Sequence, residues 1–397
     1  MKLAWLGLCL CAVSPLLSGC FLSPDDPSTS GGVDEGECFD PTRVLLLEPA
    51  LSPERWVPGR VDGSGVGSLL AISTTDVGAG EVWVLTLLTG TASGEPFVRH
   101  PSFELEPGLS LSSTRLHLRD IDGDGLTDLG MLGGGRAVVA YGPLEAGQPT
   151  VVEQELPGLR SGTNADFMDF DGDGALDIVM VHEGDDLHSY RALADRTYEL
   201  VNEGEFDPDV FCIEQLIANW HGSPRFAARG VRDSCGLVDQ ETRIAVFDVG
   251  SDGSFTLDAF NDWVDEVVLR AVGEFFSDDG DELFINDTIY TIQGGSLIAR
   301  TNVESDLRGD LDGDGVFDHV RGAGETLGLN FGGLGAVDPV QWVDVDSPDF
   351  LPVAIVDVDG DGTEEIVGHA TEVGPDALIV VGPYVPCELV GDEPTGP

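Results

Sequence analysis

Four nonapeptides carry carboxylates at a spacing that could do chemistry. They are Asp120–Asp128, Asp169–Asp177, Asp310–Asp318 and Asp357–Glu365, and each fits D-x-D-G-D-G-x-x-[DE]. Positions 1, 3, 5 and 9 offer hard oxygen donors, and the carbonyl at position 7 can add another. The candidate donors are therefore Asp120, Asp122, Asp124, Leu126 and Asp128 in the first segment, and Asp169, Asp171, Asp173, Ala175 and Asp177 in the second. Asp310, Asp312, Asp314, Val316 and Asp318 follow in the third, and Asp357, Asp359, Asp361, Thr363 and Glu365 in the fourth. Oxygen-only donors suit calcium better than a transition metal, so about four calcium ions are expected. Glycine at position 6 permits the sharp turn that points the oxygens inward. Without a cation, so many carboxylates in nine residues repel one another.

The elements that must position these loops are strands. Loops of the helix-flanked type close with an acid at position 12. Here that position holds Met131, Met180, Arg321 and Gly368, so that class is excluded. Short apolar runs follow each loop, such as Asp128–Leu132 and Asp177–Val181. A second run comes after a glycine-punctuated turn, such as Arg136–Tyr141 or Asp376–Val381. These are hairpin patterns. Gly142 and Gly332 both stand 22 residues after the first Asp of their loops, so the repeat extends beyond the loop. Decayed copies begin at Arg60, Asn219 and Glu274, which gives loop starts at 60, 120, 169, 219, 274, 310 and 357. A period near 50 residues, with about four short strands per unit, predicts an all-β fold. The architecture expected is a seven-bladed β-propeller with four-stranded antiparallel blades.

These loops and their spacing resemble the FG-GAP/VCBS repeat family, the calcium-loop propellers also found at the head of integrin α chains. The resemblance covers roughly residues 42–390. It implies that each loop joins the two inner strands of a blade and that each intact loop wraps one ion. The loops at 60, 219 and 274 depart from the pattern and are expected to bind weakly or not at all. A propeller must join its last blade to its first or leave an exposed edge. Thr42–Leu47 reads as a strand able to complete the last blade beside Ala377–Val381.

Seven cysteines occur, and composition sets their context. Cys9 and Cys11 lie in an apolar stretch, Leu3–Leu17, that is short for a membrane span and reads as an export signal. The ending Leu17-Ser18-Gly19-Cys20 resembles a bacterial lipobox, which implies cleavage before Cys20 and lipidation of its thiol. Residues 1–19 are thus a signal peptide, 20–37 a flexible tether, 38–390 the propeller and 391–397 a short tail. Phe21 after the lipidated Cys leans towards the outer membrane or cell surface rather than the inner membrane. The four remaining cysteines allow three pairings. Ring closure favours Cys38–Cys387, and Cys212–Cys235 flanks the decayed loop at 219.

The chain has 72 Asp+Glu against 19 Lys+Arg, for a net charge of −53. That excludes nucleic acid as a partner, because phosphate binding needs a basic footprint. It also disfavours an anionic lipid surface, so membrane contact runs through the lipid anchor only. The histidines, among them His117, His188 and His319, follow no metal-helix spacing, and no nucleophile-elbow or phosphate-loop motif occurs. Arg308-Gly309-Asp310 spells an integrin-recognition tripeptide, but Asp310 is already a loop donor. The expected role is a surface-anchored calcium-binding propeller that binds a protein or glycan, as an adhesion module rather than an enzyme. The alternatives are a polysaccharide-acting lyase or hydrolase on the same scaffold, or an envelope assembly scaffold.

Overall fold

The computed structural model describes residues 37–39, 43–46 and 53–386. Within the last range, 61–65, 77–80, 92–96, 160, 162–163, 183–185, 207–211, 219–222, 233–240, 263–266, 274–281, 287, 303–306, 312, 314–315, 324–325, 331–340, 346–349, 371–376 and 383 lie outside the description. The expected signal peptide, Cys20 and the tail therefore fall outside it. So do Cys235, Cys387 and the side chains of Cys38 and Cys212, and with them both expected disulfides.

The described chain is all β, apart from two single 3-10 turns at Leu111–Ser113 and Leu144–Ala146. No helix among the described residues is long and apolar enough to cross a membrane. The strands sort into antiparallel meanders. The first is Arg55–Arg60, Gly67–Asp76 and Glu81–Thr89, with Val98–Arg99 and Phe103–Leu105 sharing its fourth place. The second is Arg115–Arg119, Asp128–Gly133, Arg136–Tyr141 and Thr150–Glu155. The third is Ala165–Met168, Asp177–His182, Asp186–Ala192 and Tyr198–Glu205. The fourth is Cys212–Ile217, Arg225–Val231, Thr242–Val249 and Phe255–Phe260. The fifth is Leu269–Gly273, Glu282–Ile285, Thr288–Gln293 and Ser296–Asn302. The sixth is Leu307–Gly309, Asp318–Ala323, Thr326–Asn330 and Gln341–Asp344. The seventh is Phe350–Val356, Glu365–Ala370 and Ala377–Val381, completed by Arg43–Leu46 from the start of the chain.

Local sequence explains these hairpins. Asp128–Gly133 is buried along its whole length, whereas Thr150–Glu155 alternates exposed and half-buried residues. Apolar content therefore falls from the second strand to the fourth, as expected where meanders pack face to face and only the last strand meets solvent. Gly134-Gly135 and Gly294-Gly295 take left-handed φ of 54°, 83°, 60° and 82°. Each pair forms a two-residue turn between directly paired residues, Gly133 with Arg136 and Gln293 with Ser296.

Apolar side chains join the meanders into a ring. Each of the main buried clusters spans one seam. Leu85 and Leu118 belong to the cluster between the first and second meanders, and Leu132 and Phe167 to that between the second and third. Val181 with Phe226, and Val246 with Leu283, do the same for the next two seams. Phe284 with Phe317 joins the fifth to the sixth, and Val320 with Phe350 the sixth to the seventh. Leu69 with Val367 joins the seventh back to the first. Backbone bonds reinforce that last seam: the Thr91 amide donates to the Val358 carbonyl at 2.9 Å, and the Gly67 amide donates to Asp357.

The architecture is thus an all-β propeller, as the repeat pattern predicts. The closing strand lies where ring closure requires, with Val44 opposite Ile379 and Leu45 opposite Leu378. Glu37–Phe39 then pairs with Tyr384–Pro386, so strand structure begins one residue inside the expected tether. Phe167 is fully buried at the second seam, over Gly130 and edge-on to His117. Phe167→Ala is expected to destabilise the fold by about 3–5 kcal/mol, read as a lower midpoint in urea unfolding.

Candidate metal centres

Every intact loop joins the first and second strands of its meander: 120–127 in the second, 169–176 in the third, 310–317 in the sixth and 357–364 in the seventh. The loops at 120, 169 and 357 share one internal hydrogen-bond scheme. The position-1 carboxylate accepts two glycine amides, at positions 4 and 6. For Asp120 these are Gly123 at 2.8 Å and Gly125 at 2.9 Å. Asp169 accepts Gly172 and Gly174, and Asp357 accepts Gly360 and Gly362. Position 5 accepts the amide of position 7: Leu126 to Asp124, Ala175 to Asp173 and Thr363 to Asp361, at 2.8–2.9 Å. Most of these glycines hold left-handed φ, for example 85° at Gly125 and 97° at Gly362. A side chain there would be strained, which accounts for the fixed Gly at position 6.

Position 9 plays a different part. Asp128, Asp177, Asp318 and Glu365 are buried and accept the amide of position 2, from Ile121, Phe170, Leu311 and Val358 at 2.6–3.1 Å. In two loops the second oxygen is also taken. Asp128 Oδ1 accepts the Gly142 amide at 2.6 Å, and Asp177 Oδ1 accepts the Ala192 amide at 2.8 Å. Gly142 has no room for a side chain against the Thr127 carbonyl, which explains that glycine. In the seventh meander the longer Glu365 leaves Oε1 buried with no hydrogen-bond donor.

Three carboxylate clusters converge. Donor atoms of Asp120, Asp122 and Asp128 lie within 4.8 Å of one another, as do those of Asp169, Asp171 and Asp177, and of Asp357, Asp359 and Asp361. Such clusters can hold a metal ion. The structure thus brings together positions 1, 3 and 9 in two loops and positions 1, 3 and 5 in another. Asp124 and Asp173 stand outside the first two clusters, and Glu365 outside the third. Asp312 and Asp314 lie outside the described residues, as do most of the decayed loops at 60, 219 and 274. The donors are all oxygen, and a buried carboxylate oxygen lacks a donor beside the third cluster. Both features fit a hard divalent cation.

Burial, with the neighbouring loop carboxylates adding to it, pushes Asp128 and Asp177 up to about 6 and Glu365 up to about 8. The amide donors oppose this shift without cancelling it.

Guanidinium groups also reach the loops, and the repeat pattern does not announce them. Arg196 sits in the turn between the last two strands of the third meander, at φ 66°. Its Nη2 is 2.7 Å from Asp122 Oδ2 and 3.5 Å from Asp124 Oδ2, with Cζ 4.3 Å above the Tyr141 ring. Arg191 Nε is 2.8 Å from Asp171 Oδ2. Neither arginine recurs at a fixed offset from the loops, because one reaches across a seam and the other comes from a different strand.

A buried brace ties three meanders together beneath the loops. Asp166, 1% exposed, pairs with Arg115, lies 2.8 Å from His117 Nε2 and accepts the Ala218 amide at 2.9 Å. Burial alone would raise its carboxyl, but Arg115 and His117 outweigh that and hold it well below the usual range. Next to the second loop a cavity of about 440 Å³ opens, lined by Arg119, Phe167, Asp169, Phe170, Ser223 and Pro224, among others.

Fold and loops together define a β-propeller scaffold whose acidic loops could hold a metal ion. Within it, residues 71–180 match the FG-GAP-like repeat family. That stretch spans the first intact loop and the second. No curated protein matches the chain. Among solved structures, the chain is similar to an Agrocybe aegerita lectin described as recognising non-reducing terminal N-acetylglucosamine. The identity is 12%, the TM-score 0.49, and 86% of this chain and 93% of that chain are covered. A Lactobacillus plantarum protein matches at 14% identity and TM-score 0.48, over 76% of this chain and 87% of that one. Both scores fall below 0.5, so the fold assignment rests on the topology above.

The raised carboxyls give a signed pH dependence. Between their ordinary values near 4 and about 6, Asp128 and Asp177 hold protons in the folded chain that the unfolded chain has released. Their contribution to stability therefore falls as pH rises through that window, and Glu365 extends the fall towards 8. In cation-free buffer, Asp128→Asn should flatten the pH 4–6 part of this slope. Melting temperature against pH, for both proteins, checks it.

Proposed function

We propose that this protein is a calcium-pinned β-propeller that binds a protein or glycan partner at the cell envelope. The observation that carries the calcium half is that loops 120–128, 169–177 and 357–365 repeat one hydrogen-bond scheme and each brings three carboxylates together. Asp120, Asp122 and Asp128 would hold one ion, Asp169, Asp171 and Asp177 a second, and Asp357, Asp359 and Asp361 a third. Asp310, Asp312, Asp314 and Asp318 are proposed to hold a fourth. The carbonyls of Leu126, Ala175, Val316 and Thr363 are proposed as added donors. Calcium in these loops supplies positive charge that offsets carboxylate repulsion.

Adjacent loops are linked by backbone. The Leu176 amide donates to the Ile121 carbonyl at 2.7 Å, and the Glu364 amide to the Asp310 carbonyl at 3.0 Å. An ion in one loop therefore stiffens its neighbour, and the loops form a rim on which a partner can dock. The cavity beside the second loop lies on the same rim and offers mixed polar and apolar walls of the kind that seat a sugar or a side chain.

Binding without catalysis is the reading that the Asp166 brace supports. Its carboxylate is spent on Arg115, His117 and the Ala218 amide rather than presented to a substrate. Display on the outer membrane or cell surface, through lipid on Cys20, follows from the leader pattern.

Sites of this extracellular kind bind calcium with dissociation constants of roughly 0.1–1 mM. At a tenfold excess over that constant each ion adds about 1.4 kcal/mol to stability. Chelation should therefore lower the melting temperature and calcium restore it; superimposable scans in chelator and in calcium would rule this reading out. The double change Asp122→Ala, Asp124→Ala should reduce the calcium stoichiometry measured by calorimetry by one ion, with the remaining sites intact. Glycan arrays and pull-down from envelope fractions, each run in calcium, test the partner half.

A further inference from the structure

The position-3 carboxylate of the first two intact loops is divided between two partners. Asp122 Oδ1 accepts the Asp124 amide at 3.3 Å, and its Oδ2 lies 2.7 Å from Arg196 Nη2. Asp171 Oδ1 accepts the Asp173 amide at 3.3 Å, and its Oδ2 lies 2.8 Å from Arg191 Nε. The two arginines reach these matching oxygens by different routes. Arg196 belongs to the turn between the third and fourth strands of the meander that follows its loop. Arg191 belongs to the same meander as its loop, and its Nη2 donates to the Ser251 carbonyl at 2.7 Å, in the corresponding turn of the meander that follows. In both cases a positive side chain links an acidic loop to a turn of the next meander.

Arg196 is aimed at its loop by several contacts. Its amide donates to the Leu193 carbonyl at 2.8 Å, and the Leu193 amide donates to the Thr197 carbonyl at 2.8 Å, which closes the turn. Asp195 accepts the Thr197 amide at 3.2 Å. The next residue, Tyr198, exchanges two hydrogen bonds with the Gln154 side chain of the second meander, at 2.6 and 2.7 Å. The φ of 66° at Arg196 is uncommon for a residue with a side chain and costs backbone energy. The guanidinium carbon lies 4.3 Å over the Tyr141 ring, which adds a cation–π contact. Nη2 also lies 3.5 Å from Asp124 Oδ2, so one guanidinium spans positions 3 and 5 of the loop.

Asp122 is also one of the three carboxylates that converge in that loop. A divalent ion in the cluster and the guanidinium beside it are like charges that draw on the same carboxylate, and each disfavours the other. We propose that Arg196 is a built-in counter-cation of loop 120–128. It holds the loop carboxylates together at low calcium, competes with calcium for Asp122, and so shifts the filling of this loop to higher calcium. The inference rests on the calcium reading of the loops and adds a tuning residue from the neighbouring meander.

The test is calcium titration by calorimetry, with melting scans in chelator and in saturating calcium, on the full chain as wild type, R196Q, R196K and R196G. An exposed ion pair corresponds to a change of about twofold to fivefold in an equilibrium constant. R196Q should tighten calcium binding at one site by that factor. It should melt below wild type in chelator and close to it in calcium. R196K keeps the charge and should stay near wild type. R196G relieves the left-handed backbone, so it should fold, and it should bind calcium as tightly as R196Q. In the D122A,D124A background R196Q should alter none of the remaining sites. An arginine with a structural role alone would, once replaced, lower stability in chelator and in calcium alike and would not tighten binding. Calcium binding unchanged or weaker in both R196Q and R196G, or tightening that persists in the D122A,D124A background, would overturn the proposal while leaving the calcium sites standing. Melting curves indifferent to calcium in every variant would sink the calcium reading, and this proposal with it.

Discussion

Carboxylate crowding is the constraint on which the rest of the structure turns. The loop segments put four acids into nine residues, and the fold must keep them together. It does so first with backbone amides. Position 1 takes two glycine amides, position 5 takes the amide of position 7, and position 9 is drawn inside to accept that of position 2. Charge-assisted bonds of this kind are stronger than neutral ones, but they do not neutralise charge. Burial first, and the neighbouring loop carboxylates after it, still hold Asp128, Asp177 and Glu365 above their ordinary values. A divalent ion is the natural complement. Arg196 and Arg191 supply a partial one in the first two loops.

The ring is the second consequence. A single meander has two apolar faces and cannot bury either alone, so each stacks on the next, and the last must meet the first. The seam clusters do this with ordinary aliphatic and aromatic side chains. Polar contacts then fix the registration between neighbours: the Asp166 brace, the Gln215 amide pair with Leu269, and the loop-to-loop bond from Leu176 to Ile121. The loops therefore sit on one rim because their strands are locked seam by seam. A loop cannot lose its shape without disturbing the neighbour it bonds.

Charge is sorted by the same geometry. Among the described residues, the first strands hold six arginines against two acids, Asp166 and Glu214, in a chain of 72 acids and 19 bases. In sequence those arginines look like isolated bases in an acidic chain. Stacking of the meanders brings the strands that carry them side by side, as with Arg55–Arg60 and Arg115–Arg119. Arg308 reads in sequence as part of an Arg-Gly-Asp tripeptide. In the structure Gly309 is crowded by Ile355 and Glu364 of the next meander, and Asp310 turns into a loop, so the three residues share no common face.

Much was legible beforehand, for physical reasons. The acid and glycine spacing, the period near 50 residues and the hairpin runs specify local geometry, and local geometry needs only near neighbours in the chain. All-β structure, the strand after each loop and the closing role of Arg43–Leu46 followed from it. The roles within each loop did not. Sequence treats positions 1, 3, 5 and 9 as equivalent donors, yet position 9 is a buried brace and position 5 stands outside two of the clusters. That division depends on an amide from the end of the third strand, Gly142 or Ala192, fourteen or fifteen residues further on. The arginines on the loops and the Asp166 brace join residues up to 72 positions apart, with no periodic spacing to betray them. Amino-acid order determined which segments could wrap a cation, because wrapping is a short-range event. Closing the ring decided which charges would meet, because that depends on how separate meanders stack.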